Sequence, residues 1–275
     1  MFELAVSRAS AFTHPVIASL RFASGDTRAL AGSMVILNRE GWVATAAHHF
    51  EPHYVAQQHA LARKALPAGQ KPDPNSLVEL GMWFGADRTN LKDVRFVNEL
   101  DLAIGRLDPF TPDAIATYPT LRDPASLPLG TPLVTVGFAN DELPVAHDPV
   151  HGFSFPPGLL PLGRYPLAGI HTRSVMTGSA TLGLASGDVT VPVKFLETSA
   201  PMLRGQAGGA VLDATGALWG IAVRCLPLPL GTTVKTNINN LEIEQPRFID
   251  VGWAVHPEAL FEVLRAMGVP MPLAS

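Results

Sequence analysis

The chain has 275 residues, 47% of them hydrophobic and only 16% charged, too apolar for a disordered protein and enough for one large core or two of roughly 130 residues each. A formal net charge of −4 with scattered Lys and Arg offers no basic stripe for nucleic acid, and no apolar run approaches the roughly 18 residues of a membrane span. The single cysteine, Cys225, excludes an internal disulfide framework, and with no secretory signal in MFELAVSRAS it predicts a soluble protein of a reducing, cytoplasmic compartment.

Along the chain, short β-rich runs alternate with turn signals. SMVILN, GWVATAA, LVELGMWF, VRFV, DLAIGRL, TPLVTVGF, SVMTGSATLGL, DVTVPVKFLET, GAVLD, ALWGIAVRC and PRFIDVGWAV are each bounded by Gly, Pro, Asn or Asp. Their count and spacing favour an antiparallel sandwich or barrel over βαβ repeats. Residues 51–76, rich in Ala, Gln, His and Pro, read as an inserted helix and a loop, and residues 139–172 as a long proline-rich connection with little strand signal. VLDATGALWGIAV reads as a hairpin turning at Asp213 to Gly216. The clear helix is PEALFEVLRAMG: Pro257 opens it, Glu258 lies in its first turn, Leu260, Phe261 and Leu264 share a face, and Gly268 stops it.

Three stretches carry chemistry. RGQAGGA, at 204–210, packs Gly205, Gly208 and Gly209 into a loop that bends sharply and leaves amides exposed, a concavity suited to a developing oxyanion. At its centre stands Ala207, which has no chemistry. GWVATAAHHF ends a strand at His48, and NELDLAIGRL opens an apolar strand at Asp101, whose carboxylate needs a partner against the core. A neutral histidine pulls a proton from a weak nucleophile only when its other nitrogen is held by an acceptor, so His48, Asp101 and the loop tip give base, orienting acid and an empty nucleophile seat. Blander readings stand beside this one. His48, His49, His53 and His59 form a metal cluster on paper, weakened by the want of a carboxylate or thiol to complete it. Asp101 suits a turn cap, with Glu99 the other available acid. Cys225 suits a nucleophile, though with no histidine beside it a buried structural thiol is the simpler reading. The glycines suit a plain tight turn.

TAAH, DLAIGRL and GQAGGAV, in that order, resemble the chymotrypsin-fold (trypsin-like) serine peptidases, and the bacterial HtrA/DegP type more than digestive trypsins. ETSAPMLRGQAGGAVLDATGALWGIAV resembles the nucleophile strand-loop-strand, GSMVILNREGWVATAAH the first barrel, VMTGSATL a middle strand, and VGWAVHPEALFEVLRAMG the closing strand and helix. The resemblance implies an all-β fold: a double six-stranded antiparallel β-barrel with a C-terminal helix, one peptidase domain over 1–275, its first barrel at about 1–125, its second at 126–256 and the helix at 257–268. It implies His48 as general base, Asp101 as its acid, position 207 as the nucleophile's seat, and the N–H groups of Gly205 and Ala207 as oxyanion hole. Pro201, Met202, Val223, Arg224 and Cys225 would surround the side chain before the cut. No acid stands among them, which disfavours cleavage after Lys or Arg and favours small or apolar residues, while Arg224 at the rim equally suits an acidic one. No metal or cofactor is implied.

The departures matter as much. Loss of the nucleophile costs on the order of 10⁶ in turnover in another triad protease, so Ala207 implies a nucleophile-deficient serine endopeptidase acting on a protein or peptide substrate. An engineered Ser→Ala change accounts for the retained base, acid and loop; the alternative is a natural pseudoprotease that binds a peptide or regulates a partner. Gln206 replaces the aspartate that captures a new N-terminus in secreted trypsins, so activation by N-terminal cleavage is not expected. Residues 269–275 leave no room for PDZ modules after Gly268, which leaves a separate activating sensor as a partner.

Overall fold

Runs of β-branched and small apolar residues between Thr13 and Asp108 build one antiparallel sheet from β1 (Thr13–Phe22), β2 (Thr27–Ile36), β3 (Trp42–Ala46), β4 (Leu77–Phe84), β5 (Asn90–Val97) and β6 (Leu102–Asp108), in the order β4-β1-β2-β3-β6-β5. The computed structural model describes residues 1–85, 89–139, 142–238 and 241–274, without the side chains of 236–238, 241 and 242. Helix α1 (Glu3–Phe12) precedes this sheet, burying Ala5, Ala9 and Phe12 on one face, and α2 (Glu51–Lys64) is inserted between β3 and β4.

The rest of the chain adds short strands β7 (Leu121–Arg122), β9 (Glu142–Leu143), β10 (Ala146–Asp148) and β11 (Gly152–Ser154) to two of intermediate length, β8 (Pro132–Gly137) and β14 (Ala210–Asp213), and four long ones: β12 (Tyr165–Leu184), β13 (Gly187–Thr198), β15 (Leu218–Ile238) and β16 (Leu241–Val255). Their order is β14-β8-β12-β13-β16-β15, and β14 also pairs with β15, which closes the ring. β7 and β17 (Leu273–Ala274) extend this sheet, while β9 pairs back onto β2 of the first. The result is the chymotrypsin-like pair of barrels with a C-terminal helix, α3 (Pro257–Ala266). His256 Nδ1 accepts the Glu258 N–H at 3.2 Å to cap α3, and Gly268 closes it at φ +67°. One apolar core joins both barrels, from Val16, Met34 and Ile104 to Val136, Phe195 and Val255.

Five elements differ from the sequence reading. Helix α1 and strand β1 carry no clean signal, because His14, Pro15 and Arg21 interrupt the apolar run. β12 begins inside the proline-rich connection. β15 and β16 run on past Cys225 as an exposed ribbon, with Pro227 opposite Asp250 and Pro229 opposite Phe248. Proline is tolerated where its missing N–H faces away from the paired strand, so a breaker signal here marks an edge.

Candidate active site

Between β13 and β14 the backbone turns at Gly205 (φ +86°) and Gly208 (φ +81°); a side chain at 208 would run into the Ser33 carbonyl, so only glycine fits there. β2 holds this loop from one side. The Ser33 N–H donates to the Ala207 carbonyl (2.8 Å), and the Ser33 hydroxyl donates to the Gly205 carbonyl (2.8 Å) while accepting from the Phe138 N–H (3.0 Å). β15 holds it from the other side, the Gly208 N–H donating to the Ala222 carbonyl (2.7 Å) and the Ala222 N–H to the Gly209 carbonyl (2.9 Å). Gln206 is fully buried: its Oε1 accepts the Leu203 N–H and its Nε2 donates to the Tyr165 carbonyl, each at 2.9 Å. Among the described residues the N–H groups of Gly205 and Ala207 are left without an acceptor. Two nearby spare donors on a cleft wall suit an oxygen that gains negative charge.

β3 stops at Ala46, two residues short of His48, which sits on a 3-10 turn over Ala47–Phe50. Asp101 follows a second such turn, Asn98–Leu100, in a left-handed conformation (φ 52°, ψ 40°) that aspartate adopts more readily than most residues. Pairing of β3 with β6 sets Ala46 opposite Leu102 and so brings the two turns together. The carboxylate then grips His48 twice: the backbone N–H donates to Oδ1 at 3.0 Å, and Nδ1 lies 2.8 Å from Oδ2. A carboxylate only accepts, so Nδ1 carries the proton and Nε2 keeps a lone pair. The His48 side chain is 39% exposed and that of Asp101 17%, an open imidazole on a mostly covered carboxylate. Glu99 lies exposed on the turn, away from this pairing.

His48 and Ala207 line one cavity of about 530 Å³ together with Gly205, Met202, Val223, Arg224 and Cys225. Pro201 lies outside it, on a separate void of about 10 Å³ shared with Met202, Gly252 and Trp253, room for about one water. The Arg224 guanidinium lies 5.0 Å from the Phe195 ring centroid, and Phe195 stacks on Trp253, so this charge is held over an aromatic pair. Cys225 is exposed on the cavity, not buried as the want of an adjacent histidine suggested; β15 shifts register between Ala222 and Arg224, which turns the thiol outward. The four histidines from 48 to 59 do not converge. His49 Nδ1 lies 2.9 Å from Thr45 Oγ1, His53 bonds Gln57, and His59 accepts the Leu77 N–H. Among the described residues no group of three or more His, Cys, Asp or Glu is placed to hold a metal. Burial, with repulsion from His48, pushes the His49 imidazole down to about 3 against the pull of Asp101, so it stays neutral.

Residues 32–221 match the family described as trypsin-like peptidase domain. The chain belongs to the trypsin-like peptidases. Among solved structures, the active form of the Rv3671c protease from M. tuberculosis superposes with a TM-score of 0.51 at 12% identity, over 98% of this chain and 86% of its own. The HtrA-type protease AlgW with a decapeptide gives 0.50 at 16% identity, over 97% and 67%. A serine-to-alanine form of AlgW with a decapeptide gives 0.51 at 18%, over 98% and 68%. At such identities the likeness is one of fold. Comparison with curated proteins gives no match.

Two residues that hold the loop of this trypsin-like peptidase were not given that role by the sequence reading. Ser33 is a fully buried hydroxyl inside an apolar strand, and a polar residue at such a place is the one signal that marks it. Gln206 stands out only by its neighbours, since its amide partners are Leu203 and Tyr165.

Proposed function

We propose that this chain is the scaffold of a serine endopeptidase whose nucleophile belongs at position 207, where alanine stands. One observation carries the reading: His48, held from behind by Asp101, shares a single cavity with Gly205 and Ala207, whose N–H groups are spare. With serine at 207, His48 Nε2 takes the hydroxyl proton as the oxygen attacks the substrate carbonyl. Asp101 fixes the ring and steadies the imidazolium, and the two N–H groups receive the oxyanion. His48 then gives its proton to the departing amine, and a water activated by the same base hydrolyses the acyl-enzyme. A methyl group has no lone pair to attack with, so the chain as it stands is expected to turn over on the order of 10⁶ more slowly. No charged side chain lines the small void beside Pro201, Met202 and Trp253, and its room for about one water supports an uncharged residue no larger than alanine before the cut.

Ala207 also favours a second reading, a peptidase-like module that holds a peptide by strand addition to β15 and regulates a partner. AlgW was solved with a decapeptide, and a peptide is the ligand class that both readings share. The experiment that separates them compares this protein, Ala207→Ser, and Ala207→Ser with His48→Ala, on an unstructured protein substrate and with a fluorophosphonate probe. Cleavage and labelling by the restored serine, with cleavage lost on removal of His48, supports the enzyme. A serine variant that neither cuts nor labels leaves peptide binding as the function.

A further inference from the structure

The cavity does not end at His48 and Ala207. It runs into the mouth of the first barrel, where Val16, Ala18, Leu20 and Phe22 of β1 form its wall with Leu30 of β2 and Leu77 of β4. Strand alternation is the cause: every second side chain of β1 points to this face, while Ile17 points the other way, into a cluster with Ala29, Trp83 and Phe153. The interior of a small barrel is ordinarily filled by such residues. Here the register sets Val16 opposite Gly32, where the His49 ring packs, and Ala18 opposite Leu30, where the small side chain of Ala18 leaves the space open. Helix α2 contributes Pro52 and Val55 to the lining yet buries none of its residues, so it borders the space without plugging it. Behind the catalytic pair, the neutral His49 ring packs on Gly32 and is fixed by Thr45. The charged residues on the cavity are Glu51 of α2 and Arg204 and Arg224 of the second barrel; β1, β2 and β4 supply none.

The loop that carries residue 207 is flanked by β15 through Ala222 and by β2 through Ser33. With the half before the cut against β15, beside Met202 and Arg224, as the resemblance to trypsin-like peptidases implies, the leaving half of a substrate lies against β2. We propose that the basin between β1, β2 and α2 receives a large apolar side chain, leucine or phenylalanine, from one of the first three residues after the cut, so that substrates are selected by their leaving half. This rests on the reading of the cleft as a peptidase site. Continuity with residue 207 names the occupant, since an extended chain that reaches the seat passes the basin's mouth.

The test uses Ala207→Ser with internally quenched peptides that differ only in carrying Gly, Leu, Phe or Asp at one of the three positions after the cut. Leu or Phe in place of Gly at one position is expected to raise kcat/KM on the order of ten- to hundredfold, with Asp giving no gain. Val55→Asp, on an exposed part of α2, is expected to cut that preference by about tenfold, and Ala18→Phe to erase it by filling the space. A preference below about twofold at all three positions, in an enzyme that the fluorophosphonate probe labels, overturns the inference and leaves the peptidase reading intact. If the probe does not label, the peptidase reading falls, and calorimetry on the protein as it stands decides the basin. A Leu-bearing peptide that binds about tenfold more tightly than its Gly counterpart supports it, and equal binding overturns it.

Discussion

Gln206→Leu tests how the peptidase loop is held. The replacement is close in volume and takes away two hydrogen bonds, from the Leu203 N–H and to the Tyr165 carbonyl. Both bonds are partly buried, and the Leu203 N–H has no other acceptor among the described residues. An unsatisfied buried group costs about 1–3 kcal/mol, a sizeable share of the roughly 5–15 kcal/mol that holds an ordinary domain folded. Thermal unfolding is therefore expected to shift down by roughly 2–12 °C, and hydrogen exchange at the Leu203 amide to speed up before that of its neighbours. Gln206→Glu keeps the acceptor for Leu203 but sets a buried carboxylate against the Tyr165 carbonyl, so at neutral pH it is expected to cost at least as much as the leucine. A Gln206→Leu protein within about 0.5 kcal/mol of the parent, with unchanged exchange at Leu203, would show that this side chain does not carry the loop.

Gly208→Ala must place a side chain at φ +81°, a strain of about 1–2 kcal/mol before the collision with Ser33, and in the serine-restored protein it is expected to abolish probe labelling while lowering the melting temperature. Asp101→Asn keeps a residue that tolerates the left-handed backbone but removes the anion behind His48; with serine at 207, kcat is expected to fall on the order of 10⁴, the loss seen in another triad protease, with stability changed by about 1 kcal/mol. Acid is expected to destabilise the fold in a defined window. Burial, helped by Lys194, pushes the His256 imidazole from 6.5 down to about 4, so the folded protein keeps it neutral as the cap of α3 while the unfolded chain takes up a proton. Its contribution is therefore complete above pH 6.5 and drains away between there and about 4, by about 3 kcal/mol, which urea midpoints measured from pH 8 to pH 4 will register. Burial alone would raise Glu197 and Asp213, but Arg173, Trp253 and Thr172 around the one and Thr215 and Trp219 around the other hold both low, so the stability they add goes at still lower pH.

The parts of this molecule that depend on local physics were readable in its sequence. Strands bounded by turn residues, the amphipathic end of the chain and the glycine loop all announce themselves within a few residues, and His48 and Asp101 could be named from the strands they adjoin. What depends on distant parts of the chain was not readable. The Ser33 hydroxyl meets a carbonyl 172 residues away, and Gln206 finds its second partner 41 residues away. Cys225 faces the cavity because of a register shift that only the pairing with β16 reveals. The basin in the first barrel is the subtlest case. Alternation along β1 tells which side chains turn inward, yet whether they fill the space depends on the residues opposite, Gly32 and Leu30, and on a helix that borders it without entering.

Asp101 stands where the backbone alone turns away most of the twenty side chains. At φ 52°, bulky or β-branched residues are strained, and glycine, asparagine and aspartate are the ones that settle there readily. In the genetic code asparagine and glycine are each one base from aspartate, and alanine is one base from serine. The smallest changes open to a gene at 101 and at 207 are thus ones that the folded chain accepts and the proposed chemistry does not. A lineage carrying this fold can fall silent at its cleft in one step and keep every strand in place, so intact architecture here says little about whether the cleft still cuts.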